Sequence, residues 1–107
     1  MSADPRAVVR LRWLTREEGG RVSPPTGPQY AATARFAAPS LAGYDFGVML
    51  DLAPDGQRAA LRLLSAEDVP LVAEGIEPGA RLRILEGARV VAEAEVQYVA
   101  DPEQPRG

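Results

Sequence analysis

Apolar and polar residues alternate with a period of two along most of this chain, and Pro, Gly and Asp interrupt the alternation at intervals. A period of two puts successive side chains on opposite faces of a strand. From Ala7 to Leu14, Ala7, Val9, Leu11 and Trp13 share one face, and Val8, Arg10, Arg12 and Leu14 take the other. From Gln29 to Phe36, Tyr30, Ala32, Ala34 and Phe36 point inward, with Gln29, Thr33 and Arg35 outward. Tyr44 to Leu52 turns Phe46, Val48, Leu50 and Leu52 to one side and ends at the turn signal Pro54-Asp55-Gly56. Arg58 to Leu64 alternates Ala59, Leu61 and Leu63 against Arg58, Ala60 and Arg62. After Glu77-Pro78-Gly79, Arg81 to Leu85 places Leu82 and Ile84 inward. Val90 to Val99 groups Val90, Ala92, Ala94, Val96 and Tyr98 opposite Glu93, Glu95 and Gln97.

Short alternating strands separated by turns predict an all-β fold, a single small closed six-stranded antiparallel β-barrel or a sandwich. No stretch carries a convincing helical period; Ser65 to Asp68 is either one capped turn or loop, and loop is the better reading. The last two strands should form a hairpin around Glu86-Gly87-Ala88. A two-residue turn alone would pair inward with outward positions, so a three-residue loop or a bulge is required, and the resulting register sets Arg81 opposite Glu93. Alanines at inward positions of the second and sixth strands suit a narrow barrel. The organisation expected is a loose tail over residues 1–6, a barrel domain over 7–99 and a second tail over 100–107.

At 107 residues, with 46% hydrophobic and 25% charged, the chain suits one globular domain with a modest core. No run approaches the roughly eighteen apolar residues of a membrane span, and Met1 to Arg6 lacks a secretory pattern, so a cytoplasmic protein is expected. The sequence has no Cys, which excludes disulfides and thiolate chemistry, and no His, which removes the commonest general base and metal ligand. All twelve basic residues are Arg. Without Lys there is no Walker-type phosphate loop and no Schiff base. A net charge of −3 gives no long-range attraction for a polyanion. These absences point away from an enzyme, and no cofactor or metal is implied.

The segment Thr15-Arg16-Glu17-Glu18-Gly19-Gly20-Arg21 follows the first strand and resembles the Lys-x-Glu-Gly-Gly-Arg loop in the C-terminal barrel domain (domain III) of the elongation factor Tu family. Further along, Pro28-Gln29-Tyr30 is similar to that family's Pro-Gln-Phe strand opening, and Pro54-Asp55-Gly56 with Ala60 to Leu64 to its Pro-Gly-Asp turn and the strand after it. Pro70 to Ala73 resembles its Pro-Ile/Val-Ala-Met stretch, and Gly79 to Val91 its Gly-Leu-Arg-Phe-Ala-Ile-Arg-Glu-Gly-Gly-Arg-Thr-Val segment. The matches keep the family's order over Val8 to Val99. The resemblance implies a domain III-like barrel standing alone. There are departures: Val22 to Gly27 is shorter than the family's loop and lacks its His and aromatics, and Ala88 stands for the second Gly of the last hairpin. The GTPase domain and second barrel have no counterpart, so no GTP binding is expected.

The resemblance implies that Glu86 and Gly87 occupy a hairpin tip which in the elongation factor touches tRNA backbone. The plainer reading is that Gly87 serves a tight turn and Glu86 is solvated. Glu17, Glu18 and Arg21 either face a partner or hold their own loop together. The outward arginines, Arg81 and Arg83 among them, form a basic patch only if acidic Asp45, Asp51, Glu93 and Glu95 do not intersperse; a mixed surface is expected. Trp13 and Tyr30 fall in the inward register, which assigns them to the interior rather than to base stacking. The functional expectation is a non-catalytic binding module contacting a protein partner through its loops. The alternative is an RNA- or tRNA-binding accessory of translation. A small-molecule site needs carboxylates converging at the barrel mouth.

Overall fold

A computed structural model of the chain describes residues 7–20, 25, 27–38, 44–65, 67, 72 and 75–99. The strands are β1 (Ala7–Trp13), β2 (Gln29–Phe36), β3 (Asp45–Leu52), β4 (Arg58–Leu63), β5 (Arg81–Glu86) and β6 (Arg89–Val99). They close into an antiparallel barrel in the order β1-β4-β3-β2-β5-β6, with β6 pairing back onto β1. Closure leaves no unpaired sheet edge. The expected all-β barrel is therefore the observed fold. The expected tails, 1–6 and 100–107, lie outside the described residues.

Outside β6, the alternation chose the faces correctly. Val9, Val48, Leu50, Leu61, Leu82, Ile84 and Val96 are buried in the barrel with Ala34, Ala92 and Ala94. Each fully buried Val, Leu or Ile contributes about 1.5–3 kcal/mol, and six strands leave an interior that such side chains fill. Below β4, Val72 and Ile76 join the same core, tied by an Ile76 N–H bond to the Val72 carbonyl at 3.2 Å. Of the Ser65 to Asp68 stretch, Glu67 donates its N–H to Ser65 Oγ at 3.2 Å, while Ala66 and Asp68 lie outside the described residues.

The last hairpin meets one expectation, a bulge, and corrects another, the register of Arg81. Glu86 pairs with Arg89 across a two-residue turn, Gly87-Ala88, with Gly87 at φ +61°. A bulge then follows: Leu85 faces Val90, but Ile84 faces Ala92, so Val91 is the extra residue. Arg81 consequently lies opposite Glu95, and Arg83 opposite Glu93. The bulge also turns Val91 into the core, at 0% exposure, while Leu85, paired with Thr33, is buried at 1% but lies outside the core cluster. A second irregularity, between Val8 and Val9 where β1 meets β6, ends the inward series at Val96. Tyr98, expected inward, is 59% exposed.

Antiparallel pairing sends the β1–β2, β3–β4 and β5–β6 connections to one end of the barrel, here called the upper end. The β2–β3 and β4–β5 connections share the lower end.

Candidate functional site

The upper end gathers the three loops that carry the charged, glycine-rich signals. In the first, Thr15 caps a single 3-10 turn, Arg16–Glu18: its Oγ1 accepts the Glu18 N–H at 3.2 Å, and its own N–H donates to Glu18 Oε1 at 2.8 Å. This reciprocal capping box satisfies two donors that a helical start leaves orphaned. Gly19 closes the turn at φ +93°, and buried Gly20 follows with its N–H on the Thr15 carbonyl at 2.9 Å. Glu18 also meets Arg12 at 3.3 Å, and its carboxyl is held below the usual carboxylate range, first by the Thr15 N–H and then by Arg12. Glu18 thus holds its own loop. Glu17 is exposed, and Arg21 lies outside the described residues.

At the second and third loops, Trp13 donates Nε1–H to the Gly56 carbonyl at 2.7 Å and meets Tyr30 edge to face at 5.7 Å. The Tyr30 hydroxyl donates to the Glu86 carboxylate, and Arg89 sits 3.7 Å from its other oxygen. Trp13 and Tyr30 pack against the core as the inward register required. Glu86 is engaged by these contacts, and Gly87 has the backbone angle its turn needs. Among the described residues, no group of three or more Asp or Glu side chains comes close enough to hold a metal ion.

Arg81 and Arg83 do not join the loop residues. They stand on the outer wall, with Arg81 at the lower start of β5. Neighbouring strands bring charges of both signs to this wall, as expected: Arg10 pairs with Glu95 at 2.9 Å, Arg12 with Glu93 at 3.1 Å, Arg35 with Asp45 at 2.6 Å and Arg62 with Asp51 at 3.2 Å. The Arg35 guanidinium holds the Asp45 carboxyl below its ordinary range, and Arg62 with Gln29 does the same for Asp51. Such exposed pairs add little to stability, because water screens them.

Arg81 and Arg83 differ from these. Both are exposed, and among the described residues neither has a carboxylate within salt-bridge distance. Their acidic neighbours across β6 are already occupied by Arg10 and Arg12. On its other side Arg83 faces Arg35, a like charge in direct opposition. Together they border a depression of about 490 Å³ lined by Arg10, Arg12, Arg81, Arg83, Glu93 and Glu95. This cluster could not be read from the sequence, because β5 sits between β6 and β2, a neighbour far away in the chain. The Thr-x-x-Glu spacing of Thr15 and Glu18 is the signal that could have found the capping box.

No protein-family model and no curated protein matches the chain. No helix among the described residues is long and apolar enough to cross a membrane.

Proposed function

We propose that this chain is a non-catalytic binding module, built on a barrel of the elongation factor Tu domain III kind, that engages a protein partner. The observation carrying the reading is the pair Arg81 and Arg83: two exposed guanidiniums that have no counter-ion among the described residues, on a wall where Arg10, Arg12 and Arg35 are paired. The filled interior and the closed strand edges leave the outer surface as the place for recognition. Of the loop residues, Glu18, Glu86 and Gly87 are absorbed in holding turns, which moves the binding surface from the upper loops to the β5 wall.

Affinity capture from native lysate, with wild type beside R81Q/R83Q and both protein and tRNA identified, tests this. The expected result is a stoichiometric protein retained by wild type and lost from the variant. Recovery of tRNA without protein, or of nothing, overturns it.

A further inference from the structure

The β5 wall has a spacing as well as a charge. Arg81 and Arg83 are alternate residues on one face of a strand, so their Cα atoms lie about 7 Å apart. An extended peptide has the same period, and carboxylates at its positions i and i+2 repeat at that distance. Guanidinium matches carboxylate geometry through paired N–H donors, and such charge-assisted bonds are stronger than neutral ones. Binding a carboxylate at Arg83 also relieves its opposition to Arg35.

Three features narrow the occupant further. β5 is hydrogen-bonded to β2 on one side and β6 on the other, so a partner cannot be added as a strand and must be read by side chains. The depression contains Glu93 and Glu95, each neutralised locally by an arginine, which leaves two discrete positive points rather than a continuous basic track. The chain as a whole carries −3, so no long-range field gathers a polynucleotide.

We infer that the outer wall of β5 docks an extended acidic segment of the protein partner, with two carboxylates at alternate positions received by Arg81 and Arg83. This inference rests on the binding-module reading and names the chemistry of its partner.

The probe is an eight-residue peptide of alternating Glu and Thr, titrated into isotope-labelled chain and followed by amide shifts. A peptide of equal composition with its Glu in adjacent pairs is the spacing control. Saturable shifts centred on residues 81, 83 and 35 are expected, with affinity falling about tenfold in R81Q/R83Q and declining as salt rises, since exposed charge pairs are screened. The paired-Glu peptide should bind more weakly. R16E/R58E has the same net charge as R81E/R83E but alters residues that do not line the depression. It should retain most of the peptide affinity, while R81E/R83E loses it; unchanged melting curves verify that both fold. Shifts elsewhere, equal binding by R81Q/R83Q, or a response of these amides to tRNA but not to peptide would overturn the inference. If the peptide is silent while lysate capture still yields an Arg81- and Arg83-dependent protein, the acidic-segment claim fails and the binding-module reading stands.

Discussion

Replacing Gly20 with Ala should destabilise the barrel by about 2–4 kcal/mol, considerably more than the same change at Gly19. A Cβ at Gly20 would overlap the Leu14 carbonyl oxygen and lie 2.8 Å from both the Leu14 carbonyl carbon and its Cβ. Carbon atoms prefer about 3.5–4 Å, so one backbone segment must move by most of an ångström. Neither segment is free to do so. The Leu14 N–H is bonded to the Val91 carbonyl at 2.9 Å, and the Gly20 N–H to the Thr15 carbonyl at 2.9 Å. Moving either segment gives up one of these bonds at roughly 1 kcal/mol, and the strain that remains adds to it. At Gly19 a Cβ meets nothing within 4 Å, and the cost is the left-handed conformation at φ +93°, about 1–2 kcal/mol. Urea unfolding of G19A, G20A and wild type, analysed with a common slope, reads the difference. If G20A is as stable as G19A, the strand-to-loop packing described here is wrong.

Two further outcomes are expected. Ala92, fully buried at the axis of a narrow barrel, should not accept Leu: overpacking costs about 1–3 kcal/mol in thermal or urea unfolding, and a neutral A92L would mean that the interior is not filled. Glu18, Asp45 and Asp51 have carboxyls held below their ordinary values by hydrogen bonds and arginines. A group depressed in the folded state stabilises above its unfolded pKa and loses that contribution as pH falls through the folded value. Stability should therefore decline from about pH 5 downward through the carboxylate range. D45N should have a shallower decline, and an identical slope would show that Arg35–Asp45 contributes nothing to the acid response.

The fold was legible because inward faces follow from alternation alone, and alternation survives errors of a residue or two at strand ends. Leu50, Leu61 and Val9 needed no partner to be assigned to the core. Registers were less legible. The need for a three-residue loop or a bulge between β5 and β6 followed from parity, but the choice of a bulge and its position at Val91 did not, so Arg81 was expected against Glu93 and stands against Glu95. The same local irregularities put Tyr98 outside, a result periodicity cannot anticipate. The candidate site was the least legible part. Glu18 and Glu86 stood out as loop charges, yet their geometry ties them to Thr15, Arg12, Tyr30 and Arg89. That Arg81 and Arg83 have no carboxylate partner among the described residues depends on pairings made elsewhere, by Arg10, Arg12 and Arg35. The Glu-Glu-Gly-Gly signature therefore reads as a device of the fold: one Glu for a cap, one Gly for a left-handed turn, one Gly for a close approach.

Photo-cross-linking from two positions locates the partner on the barrel wall. A photoreactive side chain at Ala37, which lines the depression, and another at Met49, on the outward face of β3, would be activated in native lysate. One protein adduct is expected from position 37, absent at position 49 and lost when R81Q/R83Q is added. An adduct only from position 49, a nucleic-acid adduct from position 37, or no adduct at either would contradict it.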